Sequence, residues 1–124
     1  MNAIEQLYRN AGLVTEDGYV KVRDGLWIAS GPYQEQSWNK ADKSTLPTKE
    51  ELKEIRPKLQ DLILIQESCG LPSVRQSLEE DHHWVWSSTE YNADFACVQR
   101  MSDGFQSNSI KNYANWVIPI RRSP

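Results

Sequence analysis

Near the N-terminus apolar residues recur at helical spacing. Ile4, Leu7, Tyr8 and Ala11 fall at i, i+3, i+4 and i+7, which predicts a short helix over Asn2–Ala11 with one apolar stripe. Gly12 stands where a left-handed C-terminal cap belongs. The period then changes to two. Val20 and Val22 alternate with Tyr19, Lys21 and Arg23, Asp24-Gly25 is a tight-turn signal, and Leu26–Ala29 reads as the return strand. From Ser30 to Thr45 the pattern is that of a loop, in which Tyr33 and Trp38 are expected to act as buried anchors. Thr48-Lys49-Glu50-Glu51 is a capping box. Leu52 and Ile55 follow on one face of the helix it opens, and Pro57 predicts a break or kink. Leu59, Leu62, Ile63 and Cys69 continue the stripe up to Gly70. The stretch Pro72–Glu80 is open between a helical turn and an ordered loop.

After Asp81 the texture is that of strands. Trp84-Val85-Trp86 and Phe95–Met101 are β-like, Ser102-Asp103-Gly104 is a turn, and Phe105–Lys111 is polar and extended. Trp116–Arg122 is apolar and interrupted by Pro119, which implies a sheet edge or a bulge. The order helix, hairpin, loop, helices and then several short antiparallel strands, without βαβ alternation, predicts an α+β fold in a single domain, 1–124. Trp27, Trp86 and Trp116 are the large side chains expected in its core. Arg121 and Arg122 read as a solvated strand end.

Charge and composition narrow the function. The chain has 124 residues, 14 Lys plus Arg against 17 Asp plus Glu, and a net charge of −3. A general electrostatic grip on nucleic acid is not expected from that balance. The longest apolar run, Leu62–Ile65, is too short to span a bilayer, so no membrane insertion is expected. Met1–Gly12 lacks the basic flank and apolar stretch of a secretory signal, which predicts a cytoplasmic or virion-associated protein. Cys69 and Cys97 are expected to be free thiols that act as small core hydrophobes. Glu79-Glu80-Asp81-His82-His83 is the one dense cluster of acid–base or metal-ligating types. In a strand His82 and His83 point to opposite faces and cannot share an ion, whereas in a loop they could; the cluster is read as a solvated acidic turn before the core strand at Trp84. No phosphate loop, nucleophile elbow or metal-binding spacing occurs, and the expectation is no cofactor, no metal and no catalytic site.

Several motifs together resemble a known family. Trp86-Ser87-Ser88-Thr89-Glu90-Tyr91 resembles the tryptophan signature of the DUF1566 (Lcl C-terminal) domains. Asp24-Gly25-Leu26-Trp27, Leu46-Pro47-Thr48-Lys49-Glu50-Glu51-Leu52, Ser102-Asp103-Gly104 and Val117-Ile118-Pro119-Ile120-Arg121-Arg122 resemble its other segments, in order, over roughly Gly18–Arg122. The resemblance implies a C-type-lectin-like fold, a small twisted antiparallel sheet flanked by two or three helices. That group also holds formylglycine-generating enzymes and phage tropism determinants. The motif residues carry structural roles first. Trp86 fills a core and needs one partner for its N–H, Ser87, Ser88 and Thr89 satisfy backbone groups in a sharp turn, and Pro47 sets the entry to a helix. The oxygen-rich triplets of calcium-dependent sugar-binding lectins are missing.

What remains is surface chemistry. Tyr91, Asn92 and Asp94, then Phe105 and Asn108, then Asn112 and Tyr113 mark segments rich in Tyr, Asn and Ser. Such composition suits a recognition face, with rigid aromatic area and adaptable hydrogen bonds. In the resembling tropism determinants this region is the binding face. The expected function is therefore non-catalytic binding of a protein or glycan, as in a phage or prophage tail adhesin that meets a host surface; a homo-oligomer is compatible with it. The alternatives are an intracellular phage inhibitor that blocks a host defence protein, and a degenerate relative of formylglycine-generating enzymes using Cys69 and Cys97.

Overall fold

The computed structural model describes residues 2–75, 78 and 84–122. These residues form two α-helices and nine strands, an α+β arrangement. The expectations placed on Glu79–His83 lie outside the described residues.

Helix α1 (Ala3–Asn10) is capped by Asn2, whose side-chain oxygen accepts from the Glu5 N–H at 2.8 Å. It stops at Gly12, which takes φ +94° as a left-handed cap requires. Of its apolar stripe only Tyr8 is buried, while Ile4 and Leu7 are exposed. The helix buries one residue against the body rather than a full face, and Arg9 donates to Thr15 O at 2.9 Å.

Strands β1 (Thr15–Glu16), β2 (Tyr19–Arg23), β3 (Leu26–Ala29) and β9 (Ile120–Arg121) form a sheet in the order β1-β2-β3-β9. The β2–β3 hairpin turns at Asp24-Gly25, with Val20 opposite Ile28. Strands β4 (Gln34–Ser37), β5 (Trp84–Glu90), β6 (Phe95–Arg100), β7 (Gln106–Ile110) and β8 (Ala114–Val117) form the other, in the order β4-β8-β5-β6-β7. Its pairings are antiparallel except β5 with β8, which meet in parallel at Val85 and Trp116. The strands thus divide between two sheets. β4 lies within the stretch that the sequence presents as a loop. Tyr33 and Trp38 flank it as buried anchors, as their size suggests.

Helix α2 (Lys49–Ser68) opens on the expected capping box. The Glu51 N–H donates to Thr48 Oγ1 at 3.1 Å, and the Thr48 N–H donates to Glu51 Oε1 at 2.8 Å. It does not break at Pro57. Pro57 is exposed, and so is Lys53, whose carbonyl loses its helical donor to the proline ring. Both residues lie on the exposed face of α2, where solvation of that carbonyl would lower the cost of the missing bond. The inner face buries Leu52, Ile55, Leu59, Leu62 and Ile63, and it also buries Gln66. Gln66 Nε2 donates to Tyr8 Oη and Ser30 O, and its Oε1 accepts from the Val74 N–H, so the amide is satisfied.

Two hydrophobic clusters follow from strand alternation. Val85 turns into the larger one, with α2, Leu26 and Ile28. Trp86, its neighbour, turns into a smaller one with Trp38, Leu46, Ala96, Val98 and Val117. Trp27 and Trp86 are buried as expected, but Trp116 is only partly buried at the rim of the larger cluster. Pro119 sits where the chain leaves β8 and enters β9 in the other sheet, and its carbonyl accepts from the Ala29 N–H at 2.9 Å. The proline marks a change of sheet rather than a flaw within one strand.

The terminal arginines are not a solvated end. Arg122 donates to both Glu51 oxygens, at 2.9 and 2.5 Å, and so joins the chain terminus to the capping box. The Arg121 guanidinium lies 4.9 Å from the Tyr19 ring and 5.0 Å from the Trp27 ring. No helix among the described residues is long and apolar enough to cross a membrane.

Candidate functional site

The tryptophan motif holds the site in place from behind. Trp86 Nε1 donates to Gln36 O at 2.8 Å, and Trp38 Nε1 donates to Ser87 O at 2.9 Å. The two indoles thus staple β4 and β5 reciprocally. Ser87 Oγ donates to Cys97 O at 2.7 Å and accepts from the Thr89 N–H. The Ser88 N–H donates to Pro47 O, and Thr89 Oγ1 accepts from the Lys49 N–H. The small hydroxyls therefore serve an irregularity between Trp86 and Glu90 and fasten it to the start of α2.

Beyond this irregularity the chain emerges at Glu90 and Tyr91. Lys111, itself 7% exposed, donates to Glu90 Oε2 at 2.9 Å and to Ala93 O at 3.0 Å. Its ammonium also lies 4.5 Å from the Trp38 ring centre. This buried lysine ties the β5–β6 turn to the β7–β8 turn. Asn92 shapes the first of these, because its Oδ1 accepts from the N–H groups of Asp94 and Phe95, each at 2.9 Å. Asp94 O accepts from the Lys111 N–H.

The surface so built carries the aromatics that the sequence singles out. Tyr91 is 68% exposed, Phe105 56% and Tyr113 60%. Asn92, Asp94, Asn108 and Asn112 are exposed as well. They do not line one depression. A cleft of about 470 Å³ is bounded by Trp84, Val98, Ser107, Asn108, Ser109, Tyr113 and Asn115. Tyr91 and Asn108 border a shallower hollow with Thr89 and Gln106. Asp94 and Asn112 border a third with Lys111. β7 separates the first two, and Ser107 and Asn108 belong to both.

Phe105 stands at the end of the cleft wall, edge-on to Trp84 with ring centres 6.2 Å apart. Arg100 lies 5.4 Å from each of the two ring centres. Its guanidinium is held by Asp103 at 3.0 and 2.6 Å, a pairing that pulls the Asp103 carboxyl down to about 2. Sequence reasoning missed Trp84 and Arg100 as parts of this surface. Trp84 carries the same strand signal as the buried Trp86, and nothing near Arg100 in the chain announces the ring pair it stacks on. The Asn115 amide donates to Ser109 Oγ at 3.0 Å, a contact between two strands that only folding brings together.

The cysteines do not form a pair at a cleft. Both are free thiols, with Cys69 exposed at the C-terminal cap of α2 and Cys97 buried in β6. The expectation of two core thiols thus fails for Cys69, because α2 ends one residue earlier and the cap faces solvent. Burial pushes the Cys97 thiol up, away from the reactive thiolate. Among the described residues no group of three or more His, Cys, Asp or Glu side chains is placed to hold a metal ion. No family model matches the chain, and no curated protein matches it.

Proposed function

We propose that the chain is a non-catalytic binding domain of C-type-lectin-like type, and that its partner meets the face formed by β5–β8 and their turns. The observation that supports this best is the exposure of Tyr91, Phe105 and Tyr113 at the strand ends and turns of this sheet, with Tyr113 bounding a preformed cleft. Large aromatic side chains left in water cost solvation free energy, and on a recognition face that cost is recovered on contact. The residues bounding the cleft offer hydroxyls, amides, a phenol and an indole. These groups donate and accept hydrogen bonds and stack on flat apolar surface, which suits a glycan or a polar protein loop. None of them is a carboxylate or imidazole, the usual bases that activate a serine hydroxyl as a nucleophile.

The resemblance to the DUF1566 domains, whose broader C-type-lectin-like group also holds phage tropism determinants, favours a phage or prophage product that binds a host surface. The test compares the wild-type protein with the triple variant Tyr91→Ala/Phe105→Ala/Tyr113→Ala on a glycan array and on intact bacterial cells. The wild-type protein binds a restricted set of glycans or cells. The triple variant loses that binding by tenfold or more, at about 1–4 kcal/mol per anchor, with its melting temperature within a few degrees of the parent. Retained binding by a folded triple variant overturns the reading, and so does a wild-type protein that binds neither glycans nor cells.

A further inference from the structure

We infer that β7 is a pairing edge at which two copies of this chain join their five-stranded sheets across a two-fold axis at Asn108. β7 is the terminal strand of that sheet. The backbone groups it leaves unpaired follow from its register with β6. The Arg100 N–H donates to Phe105 O at 2.7 Å, and the Lys111 N–H donates to Asp94 O at 2.9 Å. Between these bonds Val98 lies opposite Ser107 and Ala96 opposite Ser109. Bonded pairs alternate in an antiparallel ladder. Phe105, Ser107, Ser109 and Lys111 therefore turn their backbone toward β6, and Gln106, Asn108 and Ile110 turn theirs outward; the Ile110 carbonyl accepts from the Tyr113 N–H at 2.9 Å, which leaves the groups of Gln106 and Asn108 and the Ile110 N–H for a further strand.

The other sheet edges are protected and this one is not. β1 and β9 are two residues long and carry Glu16 and Arg121. β4 carries Glu35 and begins shortly after Pro32. β7 is five residues, uncharged, free of proline, and in unbroken register with β6. Short length, charge, proline and bulges are the means by which edges avoid pairing, and β7 has none of them.

A second copy fits this edge by chemistry. Each copy carries a net charge of −3, so two copies approach best along a neutral seam. With Asn108 on the axis, Gln106 falls opposite the partner subunit's Ile110, and Ser107 opposite the partner subunit's Ser109. No like charges are opposed. The Asn108 amide holds both donors and acceptors, so it is its own complement at the axis. The strand is polar rather than apolar, which favours a reversible pair over aggregation. Antiparallel pairing places the two-fold axis perpendicular to the sheet, so the clefts beside Trp84 open on the same side. A dimer of this kind presents two copies of the proposed binding face to one surface, with the gain in avidity that two linked sites bring.

The test is sedentation-equilibrium centrifugation of the full chain alone, which needs no binding partner. A single added strand is a small interface, so the dimer is populated at roughly 100 μM and dissociates on dilution. Asn108→Pro removes an outward N–H that β7 does not use within the monomer. Asn108→Lys keeps every backbone group and opposes two like charges at the axis. Each variant raises the dissociation constant about tenfold or more, because the change acts twice across the symmetry. Should Asn108→Pro lose its fold by circular dichroism, Asn108→Lys still decides. A wild-type protein that stays at 14.3 kDa over the whole concentration range overturns the inference. A dimer that is as tight in a folded Asn108→Lys variant as in the wild type overturns it equally. Binding to glycans or cells is a separate measurement, so either proposal can fail while the other stands.

Discussion

Replacing Trp86 tests the physical basis of the fold and of the surface built on it. The side chain is fully buried between Trp38, Leu46, Ala96, Val98 and Val117. Trp86→Ala removes one of the two indoles of that cluster, the one wholly out of solvent, and leaves a cavity, for which about 3–5 kcal/mol of destabilisation is expected. It also orphans the Gln36 carbonyl, but Gln36 is half-buried and water meets part of that loss. A domain of this size has about 5–15 kcal/mol in all, so the alanine variant is left close to unfolding. Trp86→Phe keeps most of the apolar volume but strips the N–H, and about 1–2.5 kcal/mol is expected from hydrogen bond and volume together. The reciprocal staple adds a sharper expectation. Trp38→Phe and Trp86→Phe each free one end of the same β4–β5 junction, so their effects are non-additive by about 0.5–2 kcal/mol. Urea unfolding followed by far-ultraviolet circular dichroism gives each stability, with an unchanged slope showing that the transition is comparable. An alanine variant within about 1 kcal/mol of the parent refutes the reasoning. Strictly additive phenylalanine variants leave the burial intact but refute the staple.

Two further outcomes follow from titratable groups. Burial raises the Glu51 carboxyl, but the Arg122 guanidinium and the Thr48 N–H outweigh it and hold the group below its ordinary 4.5. Its contribution to stability is therefore present above pH 4.5 and is lost as pH falls through the lower folded value, so Glu51→Gln flattens the acid limb of a stability–pH curve; a limb of unchanged steepness counts against the Glu51–Arg122 link. A maleimide probe labels Cys69 rapidly in the native protein and Cys97 only after unfolding, read by mass spectrometry; equal labelling rates disprove the burial of Cys97.

Much of the local structure is legible in the sequence, because its causes are local. The Thr48–Glu51 capping box joins groups three residues apart, and the Asp24-Gly25 turn and the Gly12 cap depend on single backbone conformations. The exposed face is legible in composition, since Tyr91, Phe105 and Tyr113 sit among Asn and Ser rather than in an apolar pattern, and all three are exposed. Tertiary structure decided the rest, where a residue's role depends on what arrives from far along the chain. Gln34–Ser37 has no strand pattern and becomes β4 because β8 offers it a backbone ladder. Pro57 is tolerated because the orphaned carbonyl falls on the wet side of α2, which is set by the face the helix buries. Pro119 separates two sheets because the chain on either side of it finds different partners. Arg122 becomes part of a helix cap 71 residues away. The cleft beside Trp84 has the same origin. Alternation along one strand fixes which side chains share a face, but backbone hydrogen bonds are alike for every residue, so pairing between distant strands, and the hollow it encloses, has no signature in the local pattern.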